Sequence, residues 1–195
     1  MPIKQKLVNS YYWSRNILPY LIFLLLLLCS CSIPGVDNQA TSSDPCAGNA
    51  SASGANTQEV QISKAVFEAI NQDRASHGVS ALSWCPALAN SARQHDMAMD
   101  KAGTLSHQLD GEPGLGDRET QQGVSWTWAG ENIGEAPDLN VNGAMELHQL
   151  MMQEKPPNDG HRQNILNGNF TVLGVDVLLD PRNGVLWLTE DFAQV

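Results

Sequence analysis

The chain has 195 residues, 21 of them acidic and 11 basic, for a formal net charge of −10. So acidic a surface excludes nucleic acid as a partner and excludes charge-driven adsorption to anionic lipid, while it suits cations. The length accommodates one domain with a proper core plus appended segments.

Residues 1–16 carry Lys4, Lys6 and Arg15 and no acid, and Ile17 to Leu28 is then almost wholly apolar. That run is well short of the roughly 20 residues needed to span a bilayer as a helix. A basic stretch followed by a short apolar run predicts an export signal. Leu28-Cys29-Ser30-Cys31 resembles the bacterial lipobox, with leucine three positions before the cysteine and a small residue directly before it. Cys31 fits the lipidated position; Cys29 does not, because Leu28 is too large to precede the cleavage. The resemblance implies a lipoprotein signal peptide over residues 1–30, lipidation of Cys31 and a membrane as partner. Each buried CH₂ of the acyl chains contributes about 0.8 kcal/mol. The alternatives are an ordinary cleaved signal or an uncleaved anchor. Ser32 implies release from the inner membrane, hence an exported protein anchored at the outer membrane of a bacterial envelope. Loss of residues 1–30 removes three basic residues and no acid, so the remaining chain is more acidic still.

Cys46 and Cys85 then remain, an even pair in an oxidising compartment, which predicts a disulfide; two free thiols are the alternative. Residues 31–58 are rich in Ser, Ala, Gly, Asn, Thr and Asp and read as a flexible linker after the lipidated cysteine. The folded unit is expected over 59–195. Ser63 is expected to cap a helix reaching about His77, stopped by Gly78. Pro86 starts a second helix, whose stripe of Leu88, Ala92, His95 and Met99 ends before Gly103. Residues 108–124 read as loop with one turn of helix, and Trp126 and Trp128 alternate as a short strand. A third helix runs from Val141 to about Met152 and stops before Pro156-Pro157. Alternation from Val172 to Leu179, the turn Asp180-Pro181-Arg182-Asn183-Gly184 and the run Val185–Phe192 predict a β-hairpin. The fold class is therefore α+β, with helices on both faces of a small, largely antiparallel sheet.

The motifs Asn71-x-x-Arg74, Leu82-x-Trp84, Ala92-x-x-His95, Leu105-Ser106-His107, Arg118-x₄-Gly123, Gly130-Glu131-Asn132-Ile133, Gly160-His161-Arg162-x-Asn164-Ile165-Leu166, Gly174-Val175 and Trp187-x-Thr189-x-x-Phe192 follow in order. In that order they resemble the CAP superfamily, the SCP or PR-1-like domain, in its bacterial secreted form. The resemblance covers about Ile62 to Phe192 and implies a three-layer α-β-α sandwich with a central polar cleft. Its usual tetrad of two histidines and two acids carries over to His107, Glu131 and His161, with Glu154 as the fourth member. The tryptophan expected beside that acid is replaced by the Met151-Met152 region. Glu190 stands where the family often has glutamine, implying a more acidic cleft rim.

Two neutral imidazoles, His107 and His161, suit Zn²⁺ or another divalent metal, and two protein ligands bind more weakly than three. Glu131 and Glu154 would orient the rings or a bound water. The favoured reading is an extracytoplasmic binding module with a cleft for a divalent metal and a small or lipidic ligand. A metal-dependent, peptidase-like hydrolase with Glu131, His107 and His161 as catalytic groups is the second reading, and a structural or envelope-interaction role is the third. The chain has no His-Glu-x-x-His helix and no Gly-x-Ser-x-Gly elbow. Ser106 reads as a turn hydroxyl. Glu131 and Asn132 have the alternative role of closing a turn.

Overall fold

A computed structural model describes residues 6–14 and 44–195. The apolar run from Ile17, Cys29 and the lipidation candidate Cys31 lie outside the described residues. Five strands form one sheet in the order β1-β3-β5-β4-β2. They are β1 (Lys6–Ser14), β2 (Ser83–Trp84), β3 (Trp128–Ala136), β4 (Val172–Asp180) and β5 (Val185–Gln194). All neighbours are antiparallel except β2, which pairs parallel with β4. The helices are α1 (Thr57–Ser76), α2 (Pro86–Ala102), α3 (Leu115–Gln121), α4 (Val141–Gln153) and α5 (Gly160–Ile165).

Strand alternation sorts the sheet into two faces. Leu173, Val175 and Val177 of β4, with Leu186, Leu188 and Phe192 of β5, join Val66 and Ile70 of α1 and Leu147 and Met151 of α4 in one core cluster. The opposite face packs on α2, where Val172 and Ala193 meet Leu88 and Cys85, and Leu178 and Trp187 meet Met99. The α+β three-layer sandwich is thus present, with α1, α4 and α5 on one side and α2 and α3 on the other.

Three boundaries differ from the sequence reading. Helix α1 starts at Thr57, six residues ahead of Ser63, because Asn56 accepts from the Glu59 amide and the Glu59 side chain accepts from the Asn56 amide. That reciprocal pair supplies the helix start, and Ser63 lies inside, its hydroxyl donating to the Glu59 carbonyl. The domain edge at Glu59 is corrected accordingly. Residues 44–58 dock on the domain: Ala52 is buried, the Ala50 carbonyl accepts from the Trp84 indole, and Cys46 is disulfide-bonded to Cys85. A polar composition mimics a linker, but a crosslink and backbone hydrogen bonds order it. Finally, Gly130-Glu131-Asn132 lies within β3 rather than closing a turn.

Strand β1 falls inside the segment read as an export signal. It pairs with β3 from Lys6↔Glu135 to Ser14↔Trp128, with a register break between Val8 and Tyr11. Every buried apolar side chain of the described core lies between Ala52 and Ala193, and Leu7 and Val8 add only partly buried contacts. No helix among the described residues is long and apolar enough to cross a membrane.

Gly174 is where β4 touches α2. A Cβ there would overlap the Ala89 amide nitrogen and the Leu88 carbonyl carbon, both rigid helix backbone. Gly174→Ala is expected to destabilise the domain by about 3 kcal/mol or more, measured as a shift of the urea midpoint at constant m-value.

Candidate functional site

Because β3 is a strand, Glu131 and Asn132 point to opposite faces of the sheet. Glu131 projects toward α2 and α3, is fully buried, and accepts an ion-pair hydrogen bond from Arg118 of α3. Its other oxygen pairs with His107 Nδ1 at 2.7 Å, and His95 Nε2 of α2 stands 3.8 Å away. His95 Nδ1 in turn meets Glu112 at 2.7 Å. Burial alone would push the Glu131 carboxyl up, but the Arg118 guanidinium, aided by His95 and His107, holds it at about 2. A carboxylate so strongly stabilised accepts a proton poorly, so its part here is to orient His107.

On the other face, His161 of α5 is held by Glu154, the residue that ends α4. Glu154 Oε1 meets His161 Nδ1 at 2.6 Å, and its second oxygen accepts from the His161 amide at 3.0 Å. His161 is 2 % exposed, and its Nε2 has no hydrogen-bond partner among the described residues. Asn132 donates to the His161 carbonyl at 3.3 Å and to Glu190 at 2.9 Å, and Asn164 donates to the Asn132 side-chain oxygen at 3.0 Å and to the Glu131 carbonyl at 3.3 Å. These amides tie α5 to β3.

The four expected residues therefore form two histidine–acid pairs, His107–Glu131 and His161–Glu154, one on each face of β3. β1 pairs along the outer edge of β3. His107 Nε2 approaches the Val8 carbonyl at 3.4 Å, and α5 packs against β1. Among the described residues no group of three or more His, Cys, Asp or Glu is placed to hold a metal ion.

Arg118, His95, Glu112 and the Asn132–Asn164–Glu190 set were not singled out as site residues by sequence reasoning. The signal for Arg118 is a lone cation within a Gly- and acid-rich stretch. Glu190, expected at an acidic rim, is wholly buried instead. The Ser106 hydroxyl donates to the Gln108 carbonyl at 2.9 Å, as a turn hydroxyl does. Trp126 is buried in the core and its indole donates to the Gly116 carbonyl, so it packs ahead of β3 rather than within it.

Burial pushes Glu190 up to about 7, with Asn132 pulling the other way. Burial, then the Glu131 charge, push Asp191 to about 7 as well. A carboxyl raised in the folded state contributes its stability fully below its unfolded value and loses it as pH rises through the folded one. For both groups the loss falls between about pH 4 and pH 7. Glu131, depressed, loses its contribution only as pH falls toward about 2, outside this window. Glu190→Gln is therefore expected to lose less stability than the parent chain between pH 5 and pH 8. Thermal melts at the two pH values should show the difference narrowing by roughly 5 °C.

Residues 67–192 match the cysteine-rich secretory protein family, CAP. The Bacillus subtilis (strain 168) protein YkwD is 31% identical over 132 residues, covering 66% of this chain and 46% of its own length. A Bacillus anthracis extracellular protein containing an SCP domain superposes with TM-score 0.58 at 27% identity, over 70% of this chain and 41% of that one. An outer surface protein of Borrelia burgdorferi shares the fold with TM-score 0.59 at 15% identity, over 69% of this chain and 92% of that one. This chain thus spans less than half the length of the two Bacillus proteins. The matched profile covers most of the folded unit and contains both histidine–acid pairs, and on that ground the chain belongs to the CAP family.

Proposed function

We propose that the protein is an exported, lipid-anchored binding module whose ligand lies along the outer edge of β3, between His107 and His161. The observation that carries this reading is the pinning of both rings. Each Nδ1 is held by a carboxylate, at 2.7 Å and 2.6 Å, which fixes the ring. Two imidazoles and a strand edge offer hydrogen-bonding groups, which favours a ligand that hydrogen-bonds over a purely apolar lipid. A divalent ion such as Zn²⁺ would bind through the two Nε2 atoms, with Glu131 and Glu154 behind them. Two protein ligands make such a site weaker than a three-ligand one. Arg118 holds the Glu131 carboxyl ionised, which suits it to orienting His107 rather than to taking up a proton itself. Export rests on the basic and apolar N-terminal run, and anchoring on Cys31 in its lipobox-like setting. The extracellular and outer-surface relatives support that placement.

Calorimetric Zn²⁺ titration of residues 31–195 bearing Cys31→Ser tests the two-imidazole site. One weak site is expected, lost in His107→Ala and in His161→Ala and weakened about tenfold in Glu154→Gln. An isotherm that His107→Ala leaves unchanged overturns it. The anchor has a separate readout. Intact mass of the protein from a bacterial membrane fraction should show loss of residues 1–30 and an acylated N-terminus. Cys31→Ala should accumulate with the full-length mass, and an identical unacylated mass for both would refute lipidation at this residue.

A further inference from the structure

We propose that the outer edge of β3 is a peptide-binding slot, which takes an extended polypeptide segment antiparallel to Trp128–Ala136 once residues 1–30 have been removed. The inference rests on the processing proposed above and deepens that reading by naming the ligand class. Removal of the signal takes β1 with it. What remains is a nine-residue strand with one open row of backbone N–H and C=O groups. An open edge of that length is a template for another strand, and main-chain hydrogen bonds supply affinity in such additions while alternate side chains supply selectivity.

The chain's own Lys6–Val8 segment displays the selectivity. Lys6 Nζ lies 2.6 Å from Glu135 Oε1, a carboxylate only 8 % exposed, so a basic residue is favoured there. The next residue, Leu7, enters the space over Gly134, where a Cβ would stand 3.1 Å from both Leu7 and Leu147. Val8 turns to the other face and packs with Met99, Ile133, Leu178 and Trp187. Its carbonyl is met by His107 Nε2 at 3.4 Å. The pairing then breaks across Asn132, the residue that also holds α5. The slot therefore reads basic, aliphatic, aliphatic, with the last carbonyl against a cleft histidine. The occupant is an extended peptide of that pattern.

The test uses the processed chain, residues 31–195 with Cys31→Ser, once a cooperative urea transition has shown it folded, and a fluorescent peptide of residues 6–14. Anisotropy should rise saturably, and hydrogen exchange should slow at amides of Trp128–Ala136 in the complex. Proline in place of both Leu7 and Val8 in the peptide should abolish binding, because one of two successive amides faces the partner strand in an antiparallel pair and proline cannot donate to the ladder. Glutamate in place of Lys6 should weaken binding about threefold. Glu135→Lys in the domain should recover that loss for the glutamate peptide only, a charge reversal that a merely structural role would not produce. No saturable binding, equal binding of the proline peptide, or protection confined to other strands would overturn the slot. So would sedimentation showing a dimer of residues 31–195 that the peptide fails to dissociate, since a second copy would then own the edge. The membrane-fraction mass measurement reports on processing independently of any of these results.

Discussion

The buried pair between Arg118 and Glu131 is the interaction on which the site depends. Both side chains are essentially removed from water, and a charge so placed is costly unless it is paired and hydrogen-bonded. Arg118 keeps Glu131 ionised, and Glu131, thus fixed, presents one oxygen to His107 and the other toward His95. Without the guanidinium, Glu131 would be a buried acid beside Asp191 and Glu119, whose carboxyls burial already pushes up. The ring of His107 would then lose the charged partner that sets its orientation. Helix α3 is short and few of its residues are buried. Its chief contribution to the site is to deliver this one cation beneath β3.

On the opposite face the same task is performed by neutral groups. Asn132 and Asn164 share donors and acceptors with Glu190 and with the backbone of β3 and α5. The network places His161 over the strand, and Glu154 grips it by ring and by amide. One histidine is thus positioned through an ion pair and the other through amides, but both end with Nδ1 on a carboxylate. The shared result is a pair of fixed rings astride one strand edge, and that edge, more than either ring, defines where a ligand lies. Acidic composition at large has little bearing on the arrangement, because the acids that matter are buried and individually partnered.

Much of the fold was legible in the chain. The stripe Leu88, Ala92, His95 and Met99 marked α2, Pro86 and Gly103 bounded it, and alternation around Asp180–Gly184 marked the final hairpin, since each is a local pattern with a local cause. The start of α1 was misplaced because Asn56 sits in a polar stretch that reads as tether until its reciprocal bond with Glu59 is seen. The ordering of residues 44–58 depends on contacts with Trp84 and Cys85, which are distant in sequence. Arg118 escaped for the same reason, as its partner lies in another element and no periodicity joins them.

The amino-acid sequence by itself determined α2, α4 and the final hairpin, the family, and the candidates His107, Glu131 and His161, because these rest on local periodicity or on short words whose order along the chain is specific; Glu154 followed from its position before His161. Only the tertiary structure decided that the four form two pairs on opposite faces of β3, that Glu190 is buried rather than at the rim, and that Lys6–Ser14 occupies the edge between the histidines. The reason is physical. A strand turns neighbouring side chains to opposite sides, so residues adjacent in a motif part company in space, and which groups then meet is set by how helices dock on each face.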